Sequence, residues 1–168
     1  MNNPSNPCGS NFTRKHLEDI LDVAARNYLP IIADEIYAGM NWTEHPFTPL
    51  YEIPSKVPIL TIGGLAKRWL VPGWRVGWVV LHDRDGAFKE VRRGIGNLTQ
   101  TQLHPNTLFQ AALPKIFKTP QSFFDGVVKE LQKNAQVVKE ELGKAPGLKV
   151  VEPQGALYAM VSLVQKLN

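Results

Sequence analysis

The chain has 168 residues, 43% of them hydrophobic and 20% charged, a globular balance that excludes extended disorder and a fibrous repeat. Nineteen basic against fifteen acidic residues leave a net charge of +4, too modest to point to a nucleic-acid partner, and a single cysteine, Cys8, excludes an intrachain disulfide framework and a cysteine-rich zinc site. The apolar runs are far shorter than the ~20 residues of a membrane-spanning helix, and MNNPSNPCGS has no basic start leading into an apolar stretch, so no membrane partner or export signal is expected and the expected compartment is cytoplasmic or an organelle matrix.

Residues 1–12 read as coil, because Pro4 and Pro7 lack backbone donors and the Asn and Ser side chains compete for local hydrogen bonds. Thr13 is a suitable N-cap for an amphipathic helix to about Asn27, with Leu17, Ile20, Leu21, Ala24 and Tyr28 at helical spacing. Residues 29–33, 57–62 and 76–81 are short continuous apolar runs, the pattern of strands buried on both faces. Between the first two, residues 38–56 are rich in proline and aromatics without a period and read as a loop with one turn of helix.

Helical stretches are expected near 88–93 and 107–117. A long helix over 124–143 follows, with Val128, Leu131, Ala135, Val138 and Leu142 as its apolar face. Pro146-Gly147 closes it, and residues 148–151 and 156–161 then read as an antiparallel strand pair turning at Pro153-Gln154-Gly155. The pattern is α/β: part of a mixed, largely parallel sheet flanked by helices over 1–144, with a small α+β domain beginning over 145–168.

Ligands of open α/β sheets sit at the carboxyl ends of the strands, so the residues leaving the three apolar runs are the candidates for chemistry. They are Asp34 with Tyr37, then Lys67, then Arg75 just before the third run. A lysine that attacks a carbonyl needs a lowered pKa, which partial burial and a neighbouring cation promote, and the planar fork of an arginine suits a phosphate. Taken alone, Asp34 reads more readily as a capping or turn residue and Lys67 as part of a solvated basic turn; the combination at neighbouring strand exits carries the reading. His16, His45, His82 and His104 show no metal-ligand spacing, so no metal is expected.

The stretches NNPSNPCG, ADEIY and GGLAKRWLVPGWRVGW, in this order, resemble the fold-type I pyridoxal-phosphate-dependent aminotransferases, most closely their tyrosine aminotransferase group, and PQGALYAMV resembles the start of that family's small domain. The resemblance implies pyridoxal 5'-phosphate held as a Schiff base on Lys67, which also shuttles the substrate proton. It implies Asp34 paired with the pyridinium nitrogen, Tyr37 and Asn6 donating to the phenolic oxygen, and Arg75 on the phosphate. The implied reaction moves an amino group from an aromatic amino acid to a 2-oxo acid in a homodimer. C–S lysis with the same cofactor, or a non-catalytic interaction module, are the alternatives. Gly64 and Ala66 depart from the pattern, standing where many members carry phosphate-holding serines. Members are more than twice as long, so the chain is expected to be a central fragment.

Overall fold

Thr13 starts the first helix, α1 (Arg14–Arg26), by accepting the His16 N–H at 3.2 Å, which satisfies one of the donors a helix start leaves free. At the other end the Asn27 side chain donates to the Val23 carbonyl at 2.8 Å. Leu17, Leu21 and Ala24 are the buried face of α1, as their spacing predicts. They pack with Ile31, Ala33, Leu50, Ile53, Val57 and Ile59 into the main core. The computed structural model describes residues 1–101, 103 and 105–164.

Three strands follow: β1 (Ile31–Asp34), β2 (Ile59–Gly64) and β3 (Gly77–His82), in the sheet order β1-β2-β3. β1 and β2 run parallel, separated by a long connection that holds the expected single helical turn, a 3-10 turn at Leu50–Glu52. β2 and β3 run antiparallel, because the 65–76 connection contains only a 3-10 turn at Pro72–Trp74 and no crossover helix. The sheet is therefore mixed, with one pairing of each kind among the described strands.

The strands begin one or two residues later than their apolar runs, and β2 continues past its run to take Gly63 and Gly64 into the ladder, with Gly63 opposite Trp78 and Gly64 opposite Gly77. A Cβ at Gly64 would meet the Val76 carbonyl oxygen at 3.0 Å, so a larger residue here would push the entry to β3 back by a few tenths of an ångström. Burial on both faces is not observed. Ile32 is 57% exposed, and in β3 Val79 and Val80 are 44% and 43% exposed. An apolar run records that a neighbour is wanted; α1 supplies one only over β1 and β2.

α2 (Lys89–Thr101) extends well past its expected end despite Gly94 and Gly96, and no residue of it is buried. Its entry is fixed by Asp83, whose carboxylate accepts the Ala87 and Phe88 N–H groups at 2.9 and 2.8 Å. α3 (Thr107–Ile116) is capped by Asn106, which accepts the Leu108 N–H at 2.9 Å. In α4 (Gln121–Gly143) the residues Val128, Leu131, Ala135, Val138 and Leu142 are half-buried on one face, and Phe124 is buried.

A second, two-stranded antiparallel sheet joins β4 (Leu148–Val150) to β5 (Val161–Leu163). The expected second strand over 156–161 is corrected: only its last residue is in β5. Ala156 adopts φ 58° and donates its N–H to the Met40 carbonyl at 2.8 Å, while Gly155 bridges Asn41. The Ala156 N–H that a ladder would need is thus taken by Met40, while nearer β5 the Val151 N–H still reaches the Met160 carbonyl at 2.8 Å.

Candidate active site

Asp34 ends β1, and the first residues of the chain hold its main chain: its N–H donates to the Met1 carbonyl at 2.9 Å, and its carbonyl accepts the Asn3 N–H at 3.1 Å and the Asn2 side-chain amide at 2.9 Å. Its carboxylate accepts the Ile36 N–H at 3.2 Å, the side-chain-to-backbone bond that opens a turn leading to Tyr37. Tyr37 is 3% exposed and packs with Met40 and Ala156. Its hydroxyl lies 2.6 Å from that of Tyr158. Burial, then the hydrogen bond to Tyr158, and the nearby charge of Asp34 all push the Tyr37 phenol well above the usual range.

Lys67 is half-buried on the turn after β2, and its Nζ stands 5.8 Å from the centroid of the Tyr37 ring, within reach of a cation–π contact. The ladder explains why. Asp34 is in register with Ile62, and Gly64 with Gly77, so the β1 exit, the β2 exit and the β3 entry share one end of the sheet. Lys67 lies three residues beyond Gly64 and Arg75 two residues before Gly77.

The structure thus brings Asp34, Tyr37 and Lys67 together, and places Arg75 at the same end of the sheet. Arg75 is exposed, takes φ 52°, and its guanidinium donates to the Pro72 carbonyl at 2.9 Å, folded back on its own turn. Asn6 is exposed on the N-terminal loop, where its N–H donates to the Asn2 side chain at 2.5 Å; Asn2 in turn holds Asp34. That contact is made by the Asn6 main chain and ties its loop to Asp34 through Asn2.

Two residues were not singled out from sequence. Tyr158 sits in the quoted PQGALYAMV stretch, yet nothing local signals a partner 121 positions away. Glu35, adjacent to Asp34, is 7% exposed and accepts the Leu50 N–H at 2.8 Å. Burial raises its carboxyl to about 7; the Leu50 N–H opposes that rise, and the charges of Glu52 and Asp34 add to it. Its sequence signal was a second carboxylate in a run that then turns apolar.

Of the histidines, the His45 ring bonds the Asn11 carbonyl at 2.9 Å, and the His82 ring stacks on that of Tyr51 with centroids 4.5 Å apart. His104 lies outside the described residues. Among the described residues no group of His, Cys, Asp or Glu is arranged to hold a metal ion, and no helix is long and apolar enough to cross a membrane.

Chemically, the sheet end offers a primary amine for a carbonyl, a carboxylate for a cationic nitrogen, a buried phenol and a guanidinium for an anion. The sequence profile described as aminotransferase class I and II matches residues 1–167. The chain is 51% identical to tyrosine aminotransferase of Bos taurus over 165 residues, covering 97% of this chain and 37% of that enzyme, and 48% identical to the Homo sapiens enzyme, of which it covers 36%. Among solved structures it superposes on alanine aminotransferase from Pyrococcus furiosus with a TM-score of 0.91 at 30% identity, covering 99% of this chain and 42% of that one. Tyrosine aminotransferase from Leishmania infantum gives a TM-score of 0.88 at 37% identity, with 93% and 39% covered. The chain thus spans little more than a third of the length of these curated relatives, and over that span it belongs to the class I and II aminotransferase family.

Proposed function

We propose that this chain provides the lysine-bearing part of an aminotransferase site that takes an aromatic amino acid and a 2-oxo acid with pyridoxal 5'-phosphate. The observation that carries the reading is the Lys67 amine set over the Tyr37 ring at the strand end closed by Asp34. The donor set fits that cofactor: an amine for its carbonyl, a carboxylate for its ring nitrogen, a phenol for its ring oxygen and a guanidinium for its phosphate. When bound, the group supplies an electron-accepting ring that stabilises negative charge developing at the substrate Cα.

In this reading Lys67 Nζ binds the carbonyl and afterwards carries the proton between the substrate Cα and its acceptor carbon. Asp34, held through its main chain at three points, keeps a proton on the ring nitrogen by charge. Tyr37 and Asn6 donate to the ring oxygen, and Arg75 binds the phosphate, leaving its carbonyl partner at Pro72 to do so. The aromatic substrate class is supported by the 51% identity to an enzyme named for tyrosine. We further assign residues 1–144 to the large domain and 145–168 to the start of the small one, supported by the separate sheet of β4 and β5. A homodimer in a reducing compartment completes the proposal, the latter supported by the free thiol of Cys8.

The test is to incubate an enzyme of full family length carrying this sequence with pyridoxal phosphate, reduce with borohydride and map the peptides by mass; the 168-residue chain alone is expected to bind the cofactor poorly and to be inactive. A pyridoxyl label on Lys67 is expected. A label on other lysines with Lys67 unmodified overturns the assignment.

A further inference from the structure

Arg68 follows Lys67 directly and takes none of the roles above. Its guanidinium carbon lies 4.5 Å from the centroid of Phe124 and 5.6 Å from that of Trp69. On its other side, a Cβ added at Gly39 would stand 3.4 Å from the same carbon and 3.6 Å from both terminal nitrogens. The guanidinium therefore fills the space between the turn after Tyr37 and the first turn of α4. Its Nε is buried without a hydrogen-bond partner among the described residues, and packing against rings and backbone holds it. Trp69 extends the grip: its indole N–H donates to the Ile116 carbonyl at 3.2 Å, and its ring meets Phe117 and Phe124 edge to face at 5.8 and 5.5 Å.

Consecutive side chains of one turn thus reach two points of the same 34–40 segment, Lys67 at Tyr37 and Arg68 at Gly39. A flat, weakly hydrated guanidinium stacks on an aromatic face while filling a slot; a compact, strongly hydrated ammonium does this poorly. We propose that Arg68 is a positioning residue for Lys67, a clamp between the Gly39 turn and the Phe124 ring that fixes the lysine turn against the turn bearing Tyr37. The inference rests on Lys67 being the cofactor lysine, but the clamp itself is observable without cofactor.

In an enzyme of full family length carrying this sequence, the experiment compares the unsubstituted chain with Arg68→Met, Arg68→Lys and Phe124→Leu by amide hydrogen exchange and by the rate of pyridoxal phosphate labelling with borohydride trapping. The reporter amide is Leu70, whose N–H donates to the Lys67 carbonyl at 3.2 Å, and the β2 amides of the same molecule are the internal reference. Exchange at Leu70 relative to β2 is expected to rise about tenfold in all three variants, the scale of one desolvated cation–π contact. Labelling of Lys67 is expected to fall comparably while that of the exposed Lys15 holds. Leu70 exchange and Lys67 labelling that match the unsubstituted chain overturn the clamp. So does exchange that quickens equally at Leu70 and throughout β2 in both Arg68→Met and Phe124→Leu, which assigns Arg68 to general packing. A failure of the cofactor reading looks different: the unsubstituted chain is then labelled away from Lys67, with the Leu70 response intact.

Discussion

Tyr37 and Tyr158 meet hydroxyl to hydroxyl at 2.6 Å, their rings nearly perpendicular at 89° with centroids 5.6 Å apart. The pair ties the turn after β1 to the stretch that precedes β5, and burial together with the bond to Tyr158 leaves the Tyr37 phenol harder to ionise than a free one. A phenol whose folded-state pKa is raised contributes stability that is present below its ordinary value near 10 and is lost as pH climbs toward the folded one. Thermal unfolding followed above pH 10 should therefore show a steep fall in Tm that is shallower in Tyr37→Phe. At neutral pH the same variant should lose about 1 kcal/mol, the net worth of one buried hydrogen bond.

Glu35 gives a slope at lower pH. Its carboxyl is raised from 4.5 to about 7, so the folded state binds its proton more tightly than the unfolded chain does. Stability from this group is complete below pH 4.5 and is lost as pH rises through about 7. Glu35→Gln keeps an acceptor for the Leu50 N–H and removes the ionisation. Chemical denaturation at pH 5 and pH 8 should show the variant gaining on the unsubstituted chain by on the order of 2 kcal/mol across that interval.

Asp34→Asn preserves the shape and the Ile36 N–H contact while removing the charge assigned to the ring nitrogen. In an enzyme of full family length carrying this sequence, turnover of an aromatic amino acid should fall by roughly 10³-fold or more, with a smaller effect on cofactor affinity. Steady-state kinetics beside a cofactor titration separate the two effects, and near-normal turnover would mark the carboxylate as structural.

Leu17 is fully buried at the centre of the main core, between α1 and the β1–β2 pair. Leu17→Ala leaves the Thr13 cap and the helix propensity intact, so its cost is that of a cavity, about 2–5 kcal/mol by denaturant titration. A loss near zero would show that α1 does not depend on the sheet for its stability.

What the sequence disclosed was what depends on nearby residues. The Thr13 cap, the single turn at Leu50–Glu52 and the stripe from Val128 to Leu142 follow from spacing within one element, and each lies where spacing puts it. The placement of Asp34 and Lys67 at one end of the sheet was legible because the apolar runs mark where strands stop. The exposure of Val79 and Val80 was not, because an apolar run carries no record of whether another element covers it. Nor was the loss of a strand over 156–160, since the Ala156 N–H is claimed by Met40 across more than a hundred residues. Glu35 and Tyr158 were missed for the same reason: what sets them apart is who buries them.

The hydrogen bonds along the free side of β1 have a practical bearing on how the protein is handled. The Met1 carbonyl accepts the Asp34 N–H at 2.9 Å, while the Asn3 N–H and the Asn2 side-chain amide close on the Asp34 carbonyl at 3.1 and 2.9 Å. A probe or substitution placed within residues 1–3 tugs on the residues that pin Asp34. Spectra or binding data from such variants would report the alteration as much as the carboxylate, and two preparations differing only there would disagree about the same side chain.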